Sequence, residues 1–378
     1  MKKSSVKFSQ RKTMRFFCNQ KELLKNLQIV QKAVSTQSTL PVLSNILFEA
    51  EGQKVRICST NLEISIKTQI DADVKNEGRI TIPAKVLTSW VSFLKDGEIE
   101  VRNSSDNSIL LKTKESDTKI KGISADEFPV LPKIENEVEF KISSQDLKKS
   151  INQVVFSCAH SSVRPVLSGV LIFGKGQQLH LVATDSYRLS EKDLKIKEKI
   201  KNEIYCIVPS KTMVELERII SSNENVKVVV SKNQILFSIG NVELISRLIE
   251  GKFPDYKQII PKEQKTEVLI KKEDFCLVIK RVGIFAKENS NNIHFSFAKD
   301  KVEITTSQTE FGVEKSEIPA QIQGGENEVS LNGQFLLDAL SVIESENIKV
   351  IMNEKLSPTI VKSEKDEDFT HVIMPLKI

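Results

Sequence analysis

The sequence predicts an α+β protein of three tandem similar domains, each an antiparallel sheet with two helices, and three observations predict it. Four apolar side chains recur at spacings 0, 4, 7 and 11: Leu23, Leu27, Val30 and Val34; Leu147, Ile151, Val154 and Cys158; Phe275, Ile279, Val282 and Ala286. At about 100° per residue each set forms one narrow stripe on a helix, and these helices begin 124 and 128 residues apart. A second helix follows in each unit, on Leu87, Val91 and Leu94, on Met213, Leu216 and Ile220, and on Leu336, Leu340 and Ile343, with starts 126 and 123 residues apart. Between helices the period falls to two, as in Leu62, Ile64, Ile66 and Ile70 or Val302 and Ile304. That alternation belongs to antiparallel strands with one wet face. Self-similarity at a fixed period marks repeated units.

In chain order, residues 1–13 carry Lys2, Lys3, Lys7, Arg11 and Lys12 without an apolar run behind them. They read as a disordered basic tail rather than a secretory signal, with Met14 an alternative start. Domains are expected at 14–134, 138–262 and 266–378, joined near residues 133–137 and 262–266. Each second helix follows a short strand ending in a start signal: Ile82-Pro83, Val208-Pro209-Ser210 and Leu331-Asn332. Hairpin turns are expected at Glu51-Gly52-Gln53, Gly174-Lys175-Gly176 and Lys299-Asp300. The stretch Ser246–Tyr256 breaks at Gly251 and Pro254. It crowds Lys252, Phe253 and Tyr256 around the break, an odd decoration for a plain linker.

Composition narrows the class. With 39% hydrophobic and 28% charged residues the chain resembles ordinary soluble protein, and no apolar run is long enough for a membrane span. The five cysteines are scattered and lack a Cys-x-x-Cys pair, which argues against a disulfide framework or zinc site and for a reducing, cytoplasmic compartment. A net charge of +5 permits a polyanionic partner. The outer faces of the first helices carry Lys21, Lys25 and Lys32, then Lys148 and Lys149, then Lys280 and Arg281; the second helices add Lys85, Lys211 and Arg218. Taken singly these are solvated charges. Six such helices on one side of continuous sheet would instead form one surface for phosphates without base readout. Aromatic residues are only 6% and form no runs, so duplex is expected rather than single strand.

Catalytic signals are missing. The four histidines, His160, His180, His294 and His371, lie in no metal-binding pattern, and neither a phosphate-cradling P-loop nor a Gly-x-Ser-x-Gly elbow occurs. Asp71 and Asp73 could hold Mg²⁺ in principle, but a solvated turn outweighs that reading. Neither an active site nor a cofactor is expected. Two loops are richer. Cys158–Gly169 offers His160 and Arg164 to phosphate. In Ala183–Leu189, Tyr187 and Arg188 are equally compatible with an ordinary hairpin carrying a stacked cation.

Four motifs, Thr39-Leu-Pro-Val-Leu-Ser-Asn45, Ala183-Thr-Asp-Ser-Tyr-Arg-Leu189, Ser246–Tyr256 and Val372-Ile-Met-Pro-Leu376, stand in the order and spacing of one family. From Met14 to its end the chain resembles the bacterial DNA polymerase III beta subunits, the sliding clamps. The resemblance implies the DNA clamp fold, half of a closed ring formed by a head-to-tail homodimer. It implies a non-catalytic processivity factor that encircles duplex DNA, the polymerase activity belonging to the holoenzyme. Implied partners are the replicative polymerase catalytic subunit, the clamp loader and other proteins carrying a clamp-binding motif.

The positions matching DNA contacts are Lys25, Gln37, Lys85, His160, Ser161, Arg164 and Lys211. A partner-peptide pocket would take Leu167, Thr184, Tyr187, Arg188 and Leu189 from the second domain. The broken stretch and its continuation would supply Pro254, Gln258 and Ile259, and the third domain Leu356, Pro358, Val372, Met374 and Pro375. For the dimer, Ile284 and Phe285 match an apolar pair facing the partner's first-domain edge at Ile109, Leu111 and Ile120. Three departures bear on these sites: Gln37 where the family has arginine, Pro165-Val166 where a tyrosine pair is common, and Tyr187 where histidine is frequent. Two other classes compete: a scaffold binding only protein motifs, which needs no basic helices, and a hydrolase, which needs the missing catalytic constellation.

Overall fold

The computed structural model describes residues 13–35, 39–132, 134–135, 137–160, 163–221 and 223–376. Helices stand where the apolar stripes placed them: α1 Gln20–Val30, α2 Ala84–Ser92, α3 Ser144–Val154, α4 Ser210–Ile219, α5 Lys272–Ala286 and α6 Gly333–Val342. Asn19 starts α1, its side-chain oxygen accepting from Lys21 N at 2.9 Å, and Asn332 does the same for α6 through Gln334 N at 2.9 Å. These caps satisfy amides that the first helical turn leaves without partners. Every stripe but that of α5 outruns its helix, with Val34, Leu94, Cys158, Ile220 and Ile343 beyond the ends; α1 and α3 pass into 3-10 turns, Gln31–Ala33 and Val155–Ser157, and Cys158 is still buried beyond the second.

The threefold repeat reappears in hydrogen bonds. The amides of Gln20, Ser144 and Lys272, again 124 and 128 residues apart, donate to the carbonyls of Gly97, Glu224 and Glu346. One side chain near the start of each first helix also reaches the end of the second: Gln20 to Val91 O at 2.8 Å, Lys148 to Ile220 O at 3.2 Å and Lys272 to Ile343 O at 2.6 Å. Each reaches a carbonyl at the C-terminal end of a second helix.

The chain divides into two compact units, residues 1–137 with 226–247, and residues 138–225 with 248–378. The first holds a five-stranded antiparallel sheet in the order Asp73–Asn76, Arg15–Asn19, Glu98–Asn103, Ser108–Lys112, Asp117–Lys121. Its other sheet runs from Gly78–Pro83 through Asn45–Glu51, Lys54–Thr60 and Ile64–Asp71 into Val242–Arg247, Gln234–Ile239 and Asn225–Val230. Strands of the second repeat therefore complete a sheet of the first, with Leu244 opposite Ile66.

The second unit holds a seven-stranded sheet ordered Gly169–Thr184, Arg188–Pro209, Phe369–Ile373, Thr359–Ser363, Asn347–Met352, Thr266–Lys271, Gln321–Gly324. Its four-stranded sheet is ordered Lys315–Pro319, Lys301–Thr305, Asn292–Ala298, Asn327–Asn332. Phe275, Ile279 and Val282 of α5 and Leu336 and Leu340 of α6 pack on Phe295, Phe297 and Val350 in one apolar core.

Two local expectations change. Leu62 is not in a strand: it turns at φ 74° and is exposed, because Asn61 Oδ1 accepts from Glu63 N and Ile64 N and folds the backbone back. Gly174-Lys175-Gly176 is not a hairpin. The strand continues to Thr184, with register shifts on both sides of Gly176. A Cβ at Gly174 would meet Gln178 O at 2.3 Å, so the glycines permit a bulged kink. The reversal comes at Asp185–Tyr187, where Ser186 takes φ 81°.

Candidate nucleic-acid interface and partner groove

The basic helix faces are real but unequal. Several cations are already neutralised: Lys21 by Asp96 at 2.7 Å, Lys149 by Glu344 at 3.1 Å, Arg218 by Glu215 at 3.0 Å and Arg281 by Glu314 at 2.6 Å. Lys25 on α1, Lys85 on α2 and Lys211 on α4 are exposed and make no ion pair among the described residues. Their ammonium groups are open to a phosphate. His160 and Arg164 are exposed on the loop after α3, and Arg164 Nη1 reaches Ser186 Oγ at 3.1 Å. Gln37 and Ser161 lie outside the described residues, as does nearly all of the basic tail.

Of the residues expected to take a partner peptide, Leu167, Leu189 and Val372 come together in one apolar cluster of the second unit. Strand register sets Leu189 opposite Val372, Val372 opposite Ile360 and Ile360 opposite Ile351. One apolar row thus crosses four strands, from the second repeat into the third. Leu167, Leu171, Phe253 and Tyr256 pack into the same cluster. The decorated break supplies its cover: Phe253 N donates to Tyr205 Oη at 3.0 Å, and Tyr256 Oη donates to Glu191 Oε1. Gly251 holds φ 135° beside Val166. Pro254, Gln258 and Ile259 are exposed along this segment, and Gln258 Nε2 closes the local turn on Asp255 at 2.7 Å. Leu356 is exposed, while Pro358, Met374 and Pro375 are half-buried. Ile351 and Ile360 are missed by the sequence reading, although their spacing in short apolar strands is visible there.

The turn 184–188 explains the placement of Tyr187. Thr184 is buried, its Oγ1 donating to Arg188 O at 2.6 Å and accepting from Ser186 N at 3.1 Å; Asp185 Oδ1 accepts from Tyr187 N and Arg188 N. Tyr187 is pushed outward, 65% exposed, and its carbonyl accepts from Met374 N at 2.8 Å. Arg188 follows the reading of a hairpin with a stacked cation: it is a buried tie, 7% exposed. Its guanidinium donates to Asp185 at 3.0 Å, Asp338 at 2.5 Å and Phe156 O at 2.7 Å, and lies 4.4 Å from the Phe335 ring centre. It joins second-repeat to third-repeat residues beneath the turn.

The expected dimer residues separate. Ile284 is exposed and Phe285 half-buried on α5. Leu277, Phe311 and Val313 add exposed apolar surface, Phe311 and Val313 coming from the segment that Arg281 anchors through Glu314. On the first unit, Ile109, Leu111 and Ile120 are 1%, 1% and 7% exposed. They face the core, because alternate residues of a strand point to opposite faces. The outward apolar residue there is Leu110, 43% exposed, beside the edge strand Asp117–Lys121.

Titratable groups serve structure. Burial pushes the thiols of Cys18, Cys58, Cys158 and Cys206 up to about 12, leaving them poor nucleophiles and ligands. His371 is buried with Nδ1 2.8 Å from Ser190 Oγ, which is 2.8 Å from Ser157 Oγ. Burial, and secondarily the charge of Arg188, lowers its pKa to about 3. Asp73 is paired with Lys75 at 2.8 Å. No helix among the described residues is long and apolar enough to cross a membrane.

Three tandem α+β units with basic helices and a sheet-borne apolar row define a clamp-type protein. Models of the N-terminal, central and C-terminal domains of the DNA polymerase III beta subunit match residues 14–132, 141–255 and 257–377. The chain is 30% identical over 375 residues to the beta sliding clamp of Staphylococcus epidermidis, covering 96% of this chain and 99% of the relative. The sliding clamp structure from Bacillus subtilis aligns with TM-score 0.92 at 29% identity, over 97% of this chain and 99% of that one. The DNA polymerase III subunit beta from Pseudomonas aeruginosa aligns with TM-score 0.91 at 29% identity, over 96% and 100%. The chain belongs to the DNA polymerase III beta subunit family, the bacterial beta sliding clamps, and its role is that of a DNA sliding clamp, a processivity subunit without catalysis of its own.

Proposed function

We propose that two copies of this chain close head to tail around duplex DNA and tether the replicative polymerase to it, the domains being 14–134, 138–262 and 266–378. The carrying observation is that Lys25 and Lys85, on both helices of the first repeat, and Lys211, on a helix of the second, are exposed without an ion pair among the described residues. Phosphate contacts of this kind hold DNA without fixing register, so the ring can slide. Heterologous contacts close into rings when the rotation permits. The edge strand Asp117–Lys121 with Leu110 offers one surface, and Lys315–Pro319 with α5, Ile284 and Phe285 the other.

The buried row Leu189, Val372, Ile360 and Ile351 underlies the surface on which a short linear motif of the polymerase catalytic subunit, the clamp loader or other partners docks. Tyr187, Ile259 and Leu356 stand exposed around it. Apolar anchors docking on such a surface are a recurring peptide-recognition mode. The deciding experiment loads the protein onto nicked circular duplex with a clamp loader, then linearises the circle. Retention before cutting and loss afterwards is expected; equal behaviour of the two forms would overturn the topological reading.

A further inference from the structure

Outside the helix faces and the residues assigned to the groove, a compact set of ligating side chains stands on the strand pair Gly169–Thr184 and Arg188–Pro209. His180 and Asp193 are opposite each other in register, with Nδ1 2.6 Å from Oδ1. Glu191, two residues before Asp193, projects to the same face. One ligand atom from each of the three lies within 4.8 Å of the others. We propose that His180, Glu191 and Asp193 bind one divalent transition-metal ion of the zinc class.

The donor set favours that class. One imidazole with two carboxylates is a ligand combination zinc accepts, leaving a fourth position for water. Calcium and magnesium prefer oxygen alone. The surroundings hold the ligands in place before any ion arrives. The Phe173 ring stacks on His180, centroids 4.5 Å apart and planes 12° apart, which fixes the imidazole. Tyr256 Oη donates to Glu191 Oε1, which orients the carboxylate and leaves Oε2 for the ion. Partners behind the ligands are a regular part of working metal sites.

The ion is bound by the Nδ1 lone pair of the neutral imidazole, whose one N–H then sits on Nε2, and it replaces the direct contact between His180 Nδ1 and Asp193 Oδ1. The His180 and Asp193 side chains are 22% and 51% exposed, so solvent and ion can reach the pair. Lys257, with Nζ 5.9 Å from the Phe173 ring centre, is the opposing charge nearby and weakens binding without occupying the site. Because Tyr256 also belongs to the apolar cluster of the groove, an ion here would stiffen one of the groove's covering side chains.

The test uses the full chain stripped with chelator and zinc chloride alone, followed by calorimetry, with cobalt(II) chloride absorption in the visible range as a second readout. One ion per chain is expected. His180→Ala and Asp193→Asn should each weaken binding by at least about 10-fold and remove the cobalt band. His294→Ala, an imidazole beside Glu328 elsewhere in the unit, should leave both readouts unchanged. Zinc uptake as tight in His180→Ala as in the parent overturns the site, as does unsaturable binding or equal loss in His294→Ala. Should His180→Ala fail to fold by circular dichroism, Asp193→Asn on the exposed side decides.

Discussion

Arg188 shows how a residue's role is fixed by what encloses it. In sequence it is the cation of a polar turn; in the fold it is shut between Asp185, Asp338, Phe156 and Phe335. Removing one member of a buried ion pair strands the others, at a cost of about 3–5 kcal/mol. Arg188→Ala should lower unfolding stability by about 3 kcal/mol in urea; a loss below about 1 kcal/mol would refute the buried-tie assignment. His371 predicts a pH effect. Its pKa falls from 6.5 to about 3 on folding, chiefly through burial, so the unfolded chain takes up a proton that the native one refuses. This group's contribution is complete above about pH 6.5 and is lost as pH falls toward 3. Stability should therefore drop between pH 6.5 and 5, before most carboxylates titrate, and His371→Gln should flatten that slope. A parallel slope in both proteins would exclude His371 as its source. The sequence offers the stacked cation only as one of two readings of Arg188 and gives no sign of the His371 role, because a histidine or arginine in strand text does not reveal what covers it.

At the scale of elements, the caps and turns are where local chemistry decides. Asn332 accepts from both Gln334 N and Phe335 N, and Asn332→Ala should cost about 1 kcal/mol, measured by thermal or urea unfolding. The Thr184–Arg188 turn keeps Tyr187 exposed above the apolar row. Tyr187→Ala should weaken a polymerase clamp-motif peptide by roughly 10-fold in fluorescence anisotropy, in the range of an interface anchor, with the unfolding midpoint unchanged. Unaltered affinity would place the peptide elsewhere. The six helices are readable because their stripes recur at 3.6-residue period and twice over at the same offset. The bulge at Gly174 and the turn at Leu62 are not, since Gly-x-Gly and alternating apolar text each fit two local conformations, and only strand pairing or an Asn61 side-chain bond selects between them.

For the molecule as a whole, the proposed homodimer turns on which apolar residues are outward. Ile284→Ala with Phe285→Ala should give monomers in sedimentation, and Leu110→Asp on the opposite surface should do the same. Ile109→Ala should act differently: it opens a cavity in the core and lowers stability by about 2–5 kcal/mol, while the folded fraction still dimerises. Dimers persisting in both surface variants would remove these surfaces from the contact. The family resemblance places the core-facing positions Ile109, Leu111 and Ile120 at the interface, and a short strand read in sequence carries no mark of its facing. Strand alternation assigns facing only once one residue is known to be buried.

The sequence by itself determined the three repeats, the helix positions, the basic outer faces and the membership of a clamp family, because these depend on local periodicity and on motifs a few residues long. The tertiary structure alone decided which cations keep their charge exposed, which turn residues are buried ties, and which strands of one repeat complete a sheet of another. Those outcomes depend on three-dimensional pairings that local periodicity does not reveal, some between residues far apart in the chain, such as Leu189 with Val372. The stretch Ser246–Tyr256 shows both: its punctuation is local, but its aromatic side chains acquire a purpose only where Phe253 and Tyr256 close over the apolar row.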